Sequence, residues 1–500
     1  MVILAMTAIV GAGFGGCSTA YFLRYLFGNT LGIRIFECSN HIGGRVRAIE
    51  YNNGKELYES GGAIFTSNHK YMRMLAKDFL LPSHYTIVTD LEVFQHPPSD
   101  DALCLYKGPA SPPAWFTKDG PLFFNRLLFA MKYCLDLCVF KVRVSRHVEE
   151  FGQIYELQKR REAFDSPVRM LEAISSKFVS MLSTSFGKWL DMDLKLSKKF
   201  CNDVAYGMVA NCFCSDLTVH AFAGMTACSG FGASLYSIVG GNEQIARNLA
   251  SRALNSNPPG IPREVSLNTP VTKISRGSQR RYRLTYEEKD SGSEKSEEFD
   301  YVVLAFPLHE ESGIEADLDI AKVLPKAKPY KKVNFIHFHG DLSGEMFSLP
   351  GDKLKDGGQS GVTILPTEEG YASNGSTLFK YLGRAWSSAP KVEGDKAIGC
   401  FSAFSVSGRT PNPEVEIPQK YALPGWKLVN STTWYAYPHF AWQRAENLES
   451  GFSKFVLADG LIYVNAMEEV ASNMELAIIS GCNAALLIAQ DQIPPLEETP

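Results

Sequence analysis

The 500-residue chain has few cysteines, no excess of basic residues and no long apolar run. Its eleven cysteines are too few for a disulfide scaffold, although one or two disulfides stay compatible with that number. They form no paired Cys-x-x-Cys or Cys/His set, so no metal site is predicted. The balance of 50 Lys and Arg against 54 Asp and Glu leaves a net charge of -4, so a nucleic-acid partner is not expected. Polar residues interrupt the most apolar stretch, 122–140, and no membrane-spanning helix is predicted.

A glycine-rich turn follows the first apolar segment. Residues 6–10 are short and apolar, with no Lys or Arg before them, and this predicts a strand and not a signal peptide. Gly11, Gly13 and Gly16 follow, and the spacing of apolar residues then predicts a helix as far as Phe27. A second strand, 33–36, ends at Glu37, where a dinucleotide fold places its acceptor for ribose hydroxyls. Together these features predict a Rossmann-type nucleotide site with a diphosphate at the helix N-terminus.

A second group of glycines lies just beyond this motif. Gly43, Gly44 and Arg45 follow Glu37, and Gly61 and Gly62 follow a hairpin-like turn at 52–54. A nicotinamide dinucleotide seldom needs a second cluster, whereas a flavin dinucleotide lying extended across the domain meets the backbone at several places. The sequence therefore favours FAD.

The middle of the chain is mostly helical in pattern, as at 123–140 and 169–190, and Pro-rich breaks precede these stretches. This predicts an inserted helical substrate domain. Strands are expected at 270–274, 281–286, 301–305 and 461–468, with a solvated charged loop at 289–298 and a helix after 471–475. The predicted parts are 1–80, 238–310 and 455–500 for the FAD domain, 81–237 for the helical substrate domain, and 311–454 for its mixed-sheet part.

The motifs at 9–16, 43–45 and 59–62 resemble those of the amine oxidase and phytoene desaturase superfamily of FAD enzymes. Within that superfamily, 239–242, 434–440, 463–468 and 471–475 resemble the prenylcysteine oxidase family. The resemblance runs along almost the whole chain. It implies an α/β fold with a Rossmann-type FAD-binding domain, an inserted and largely helical substrate-binding domain, and a mixed-sheet part.

The resemblance also implies an activity and a location. The activity is oxidation of the thioether of farnesyl- or geranylgeranylcysteine with O2 and water, which gives a prenyl aldehyde, cysteine and H2O2. The family acts in the lysosome, and the sequons at Asn374 and Asn430 would suit a glycoprotein. No obligate protein partner is evident. The amphipathic segment 122–140 allows peripheral membrane contact, although such segments more often form helices that pack in the core.

The predicted site residues divide into two groups. His439 and Glu468 are the candidate catalytic residues, the former to bind the cysteinyl carboxylate or activate water and the latter to lie near the flavin. The candidates for FAD binding are Gly11, Gly13, Phe14, Gly15, Gly16, Glu37, Gly43, Gly44, Arg45, Gly61, Gly62, Val271, Glu468, Met474 and Glu475.

Two other functions are compatible with the same nucleotide domain. One is an amine or carotenoid-type flavin oxidoreductase with a different substrate. The other is a flavin-binding module without turnover that binds a partner or carries a lipid. A bound flavin that no prenyl thioether reduces would indicate the flavin-binding module and not an oxidase.

Overall fold

The computed structural model describes residues 5–76, 93–95, 102–107, 114–117, 123–288, 292–347, 362–372, 376–385, 387–389 and 400–492. The strands are β1 (Ala5–Val10), β2 (Leu31–Phe36), β3 (Ala48–Tyr51), β4 (Glu56–Glu59), β5 (Phe65–Thr66), β6 (Val93–Gln95), β7 (Ala102–Tyr106), β8 (Ala114–Thr117), β9 (Leu235–Ile238), β10 (Val271–Arg276), β11 (Tyr282–Glu288), β12 (Ser293–Phe299), β13 (Tyr301–Leu304), β14 (Glu315–Ala316), β15 (Tyr330–His339), β16 (Val362–Pro366), β17 (Tyr381–Ala385), β18 (Cys400–Val406), β19 (Lys427–Pro438), β20 (Val456–Ala458) and β21 (Leu461–Tyr463).

The helices are α1 (Phe14–Phe27), α2 (Lys70–Leu75), α3 (Phe123–Phe151), α4 (Ile154–Lys159), α5 (Pro167–Ile174), α6 (Ser176–Met181), α7 (Phe186–Met192), α8 (Lys198–Phe200), α9 (Tyr206–Phe213), α10 (Ala221–Ala227), α11 (Glu243–Asn255), α12 (Leu318–Ala321), α13 (Gly344–Phe347), α14 (Glu368–Ala372), α15 (Pro413–Tyr421), α16 (Leu448–Gly451) and α17 (Met474–Gln492). Shorter helical turns lie at Gly28–Thr30, Cys201–Ala205, Ala445–Asn447 and Val464–Glu469. In the described part of the chain, none of these helices is both long and apolar enough to cross a bilayer.

A five-stranded sheet with the order β2-β1-β13-β21-β20 forms the nucleotide domain. Strand β1 pairs in parallel with β2 and with β13, and β13 pairs in parallel with β21. Ala8 and Ile9 of β1 are fully buried, as expected for a parallel sheet covered on both faces. Because β1, β13 and β21 come from the beginning, middle and end of the chain, distant segments share one sheet. The predicted Rossmann-type fold is confirmed.

The C-terminal helix packs closely on the first helix. A Cβ atom at Gly481 of α17 would overlap the hydroxyl of Ser18 and would lie 2.6 Å from the carbonyl oxygen of Gly15. Only a glycine allows this approach, since any side chain at 481 would push the helices apart. The contact places the N-terminal end of α17 beside the glycine turn that follows β1.

A four-stranded sheet, β12-β11-β10-β14, lies beside the nucleotide domain. The prediction of a loop at 289–298 is wrong for residues 293–298, because they belong to β12. Residues 289–291 lie outside the described residues. Two of the acidic residues on this strand form ion pairs: Glu297 with Arg34 of β2, and Glu298 with Arg283 of the neighbouring β11 at 2.7 Å. These pairs offset part of the negative charge that the strand carries.

Three other predicted elements differ in length. The helix predicted at 123–140 continues to Phe151, and the helical stretch at 169–190 is divided into α5, α6 and α7. The strand predicted at 461–468 ends at Tyr463, where the turn Val464–Glu469 begins. The turn at 52–54 is a hairpin between β3 and β4, as predicted, and its three residues have positive φ angles.

A seven-stranded sheet, β19-β15-β18-β17-β16-β7-β8, stands opposite the helices α3 to α10. One face of the sheet packs on its own apolar cluster, which includes Ile336, Phe338 and Phe401. The other face carries Phe335 and Phe404 towards a large cavity. The domain boundaries given above stay a prediction.

Candidate functional site

A cavity of about 1650 Å³ lies between the nucleotide domain, the helical region and the seven-stranded sheet. Its wall includes the glycine turn after β1, parts of α3 and α9, strand β19 and the N-terminal end of α17. Pockets for single small molecules usually measure about 300–1,000 Å³. This cavity therefore has room for a dinucleotide and a second molecule.

Three glycines of the first motif are required by backbone geometry or by close packing. Gly11 has a φ of 109°, and a Cβ there would lie 2.5 Å from the carbonyl oxygen of Ala305. A Cβ at Gly16 would overlap the carbonyl oxygen of Gly11, so this glycine lets α1 pack on the sheet. Gly15 also has no room for a side chain, because a Cβ at this position would lie 2.8 Å from Cγ1 of Val464.

Gly13 differs from these packing glycines. Among the described residues, a Cβ at Gly13 would contact only the Cα of Gly44, at 3.9 Å. Gly13 is the N-cap of α1, and together with Phe14 and Gly15 it lines the cavity. The first turn of a helix presents free N–H groups and a partial positive charge, which bind anions. The open space in front of Gly13 fits a diphosphate.

Glu37 lies at the end of β2 and lines the same cavity. Its Oε2 accepts a hydrogen bond from the amide of Ala12 at 2.8 Å, and its Oε1 accepts two from Ser39, at 2.9 and 2.8 Å. The thiol of Cys38 is a further, weak donor to Oε1 at 3.5 Å. These bonds fix Glu37, and because Oε2 accepts only the bond from Ala12 within the described part of the chain, it keeps a lone pair for a ribose hydroxyl. Val271, at the start of β10, also lines the wall.

The second group of glycines adjoins the first. The amide of Gly43 donates to the carbonyl of Ala12 at 2.9 Å, and Gly43 and Gly44 both line the cavity with positive φ angles. Gly61 has a φ of 133°, and a Cβ there would overlap the carbonyl oxygen of Arg45. Gly62 lines the wall beside it. Both glycine groups therefore border one cavity.

Arg45 and Glu468 form an ion pair at the cavity wall, although 423 residues separate them. The other carboxylate oxygen of Glu468 accepts a hydrogen bond from the Tyr330 hydroxyl at 2.9 Å, and Arg45 also donates to the carbonyl of Ala436 at 2.8 Å. Burial, reinforced by the charge of Glu468, raises the pKa of Tyr330, so that hydroxyl stays a donor. This group joins the N-terminal glycine segment to the C-terminal part of the chain.

Three of the predicted site residues, all of them described, lie off the cavity wall: Gly16, Glu475 and His439. The carboxylate of Glu475 accepts hydrogen bonds from the amides of Tyr71 and Met72, at 2.7 and 2.8 Å, at the start of α2. Met474, one residue earlier, does line the cavity. His439 directly follows β19 and is largely exposed, and the partial covering of its ring, together with the charge of Lys331, lowers its pKa. The functional roles of these residues stay predictions.

The sequence prediction missed several residues of the wall. Phe306 and Pro307 lie just beyond the end of β13. Folds of this kind bind ligands at the carboxyl ends of parallel strands, so the position of these residues was a usable signal. His309 stacks on Tyr435 with ring centroids 3.9 Å apart, and both line the cavity. No local pattern marks this pair, because it forms only when the segment after β13 meets the distant strand β19.

Much of the wall away from the glycine turns is apolar. Leu137 comes from α3, while Met208 and Phe213 come from α9. The seven-stranded sheet contributes Phe335 and Phe404 from the opposite side. These side chains form an apolar region beside the nucleotide-binding part of the same cavity.

Comparisons with known proteins agree with this arrangement. The family model described as prenylcysteine lyase matches residues 118–494, and one described as an NAD(P)-binding Rossmann-like domain matches residues 9–79. The chain is 24% identical to mouse prenylcysteine oxidase 1-like over 96% of its length and 89% of that protein. It is 25% identical to human prenylcysteine oxidase 1 over 96% of its length and 88% of that protein.

Solved structures show the same fold. The cyclohexylamine oxidase of Brevibacterium oxydans IH-35A superposes with a TM-score of 0.60 at 15% identity, over 98% of this chain and 99% of that one. A triple mutant of putrescine oxidase superposes with a TM-score of 0.59 at 14% identity, over the same shares of the two chains. At these identities the likeness shows the architecture alone.

Proposed function

Because the chain belongs to the prenylcysteine lyase family, we propose that it is an FAD-dependent oxidase of S-farnesyl- or S-geranylgeranylcysteine. Prenylcysteine, O2 and water would give the prenyl aldehyde, cysteine and H2O2. When bound, FAD would supply the acceptor for a hydride from the allylic carbon attached to sulfur, and O2 would finally receive the two electrons. The observation that carries the proposal is the cavity, which joins a dinucleotide cradle to an apolar region.

The residues of the cradle fit the cofactor. Gly13 leaves open space at the N-terminus of α1 for a diphosphate, and Glu37 offers a fixed carboxylate to a ribose. The Arg45–Glu468 pair would hold the second glycine group against the C-terminal turn. Its function is positional, since both charged groups are already engaged with each other. The proposal assigns no step to His439.

The apolar region fits the prenyl chain. A farnesyl group has fifteen carbons, and at about 0.8 kcal/mol per buried CH₂ it offers on the order of 10 kcal/mol before the cost of binding is subtracted. Phe213, Phe335 and Phe404 would contact this chain. The pocket needs placement of the reacting carbon more than it needs an acid or a base, because a hydride leaves carbon without proton transfer.

Glu59 is our candidate for recognition of the amino-acid end of the substrate. It lines the cavity, and its Oε1 accepts a hydrogen bond from the amide of Asn242 at 2.6 Å. Its Oε2 is buried and has no hydrogen-bond partner among the described residues. Burial, reinforced by the charge of Glu243, raises the pKa of Glu59 well above its ordinary value, so the free protein favours the neutral acid. A substrate ammonium would pair with the buried Oε2 and favour the ionised form of this carboxyl group.

The test is anaerobic mixing of the purified holoprotein with S-farnesylcysteine while the flavin absorbance is followed at about 450 nm. Bleaching with release of one aldehyde per flavin, followed by one H2O2 when air is admitted, is the expected result. Cyclohexylamine and putrescine serve as control substrates. Bleaching by an amine but not by the thioether would overturn the proposal in favour of an amine oxidase, and a yellow protein that nothing bleaches would indicate a non-catalytic role.

We also propose a lysosomal location and a glycosylated protein. Asn430, on β19, is partly exposed and its side chain donates to Thr432 at 2.9 Å, whereas Asn374 lies outside the described residues. Microscopy of the tagged chain against a lysosomal marker, together with a gel shift after deglycosylation, tests both points. A cytosolic, unshifted protein would refute them without affecting the proposed reaction.

A further inference from the structure

The long helix α3 exposes an apolar stripe to solvent. Met131, Leu135, Val139 and Val142 are exposed by 61%, 81%, 39% and 49%, and they recur at helical spacing along one side. The opposite side holds Tyr133, Phe140 and Val144, which are buried in the core. The helix is therefore already anchored by one face, and core packing does not explain the apolar residues on the other.

Basic residues flank this stripe on both sides. Lys132 and Arg143 lie along one edge and Lys141 along the other, and all three are exposed. Lys132 also lies against Lys199, which follows another exposed lysine, Lys198. A helix with exposed apolar residues between lysines and arginines has the composition of one that lies in the interface of an anionic membrane.

The stripe adjoins the cavity. Leu137, Cys138 and Lys141 line the cavity, and Cys138 and Lys141 are also exposed on the outer surface of α3. The cavity thus reaches the surface beside the stripe. A lipid that entered from a membrane under α3 would meet the apolar wall of the cavity without crossing water.

We propose that the outer face of α3, centred on Leu135 and flanked by Lys132 and Arg143, docks this protein on the surface of an anionic bilayer and admits its substrate from there. The substrate part of this statement rests on the proposed function, since a prenyl chain partitions into lipid. The docking part does not, because it follows from exposed apolar and basic residues around a cavity opening.

The experiment is co-sedimentation of the full-length holoprotein with vesicles of phosphatidylcholine, with and without phosphatidylserine. We expect at least about tenfold tighter binding when phosphatidylserine is present. Leu135→Glu should weaken that binding about tenfold or more, since it removes an exposed apolar side chain that would insert into the bilayer and adds a charge that anionic lipid repels. Lys132→Glu with Arg143→Glu should abolish the preference for the anionic lipid.

A matched control is available in Leu318 of α12, which is exposed by 82% and lies beside the four-stranded sheet. Leu318→Glu should leave vesicle binding unchanged. Equal loss in the two glutamate variants, or no binding of the unaltered protein to anionic vesicles, would overturn the proposal. So would a dimer without lipid that Leu135→Glu converts to monomer, because the stripe would then be an interface between two copies.

Failure of the docking and failure of the reaction can be distinguished. Leu135→Glu should lower kcat/KM for farnesylcysteine presented in vesicles and leave it unchanged for the same substrate in detergent micelles. A protein that binds vesicles but never oxidises the thioether would refute the proposed function alone. A protein that oxidises farnesylcysteine in micelles but does not bind vesicles would refute the docking alone.

Discussion

Replacing Gly13 with valine should prevent FAD binding while leaving the fold intact. The backbone at this position has φ -77° and ψ -176°, which a β-branched residue adopts readily. Replacing glycine at a helix N-cap by an apolar residue destabilises the folded protein by about 1 kcal/mol. The valine also restricts the unfolded chain more than glycine does, which stabilises the folded protein by about 0.4–1 kcal/mol. The free energy of unfolding should therefore change by less than about 1 kcal/mol.

The effect on the cofactor should be much larger. The valine methyl groups would extend into the space before the helix N-terminus, where a diphosphate would accept backbone hydrogen bonds. Losing two bonds to a charged group at about 1.5–3 kcal/mol each weakens binding by at least a hundredfold. The protein should purify colourless, with the circular dichroism and melting temperature of the deflavinated wild type.

Gly16→Ala is the matched control within the same motif. Its Cβ would overlap the carbonyl oxygen of Gly11 and approach Ile9 at 3.1 Å, so α1 must move off the sheet. Overpacking of this kind costs about 1–3 kcal/mol, and the melting temperature should fall even in the deflavinated protein. A Gly13→Val protein that retained its full yellow colour would refute the placement of the diphosphate at α1.

Three further predictions concern buried carboxylates. Glu59→Gln should raise the KM for farnesylcysteine about thirtyfold, the equivalent of about 2 kcal/mol, and leave a farnesyl thioether without the amino group unaffected; equal effects on both compounds would exclude recognition of the ammonium. Glu468→Ala should lower the free energy of unfolding by about 2 kcal/mol in denaturant titration, because it leaves Arg45 without its counter-charge in a partly buried site; no change would contradict that pairing. Burial raises the pKa of Glu475 to about 7, so its contribution to stability is complete below pH 4.5 and is lost as the pH rises through 7. The free energy of unfolding should fall by about 3 kcal/mol over that window, and a flat profile would refute this protonation.

The sequence by itself determined the nucleotide half of the site. Gly11, Gly13 and Gly16 with Glu37 form a local pattern, in which each residue type is required by a turn, a close approach or an acceptor within one strand–helix–strand unit. Such a unit folds according to the spacing of its own apolar and glycine residues. The hairpin at 52–54 was predictable for the same reason.

Only the tertiary structure decides which partners the polar side chains of distant segments bind. Nothing in the local sequence distinguishes Glu468, which pairs with Arg45 at the cavity, from Glu475, which binds the start of α2. Likewise the pattern around Leu135 predicts a helix, but only packing shows that one side faces the core and the other faces solvent beside the cavity. These outcomes depend on which surfaces meet when the parts of the nucleotide domain assemble around the inserted segments, and local spacing does not encode such long-range contacts.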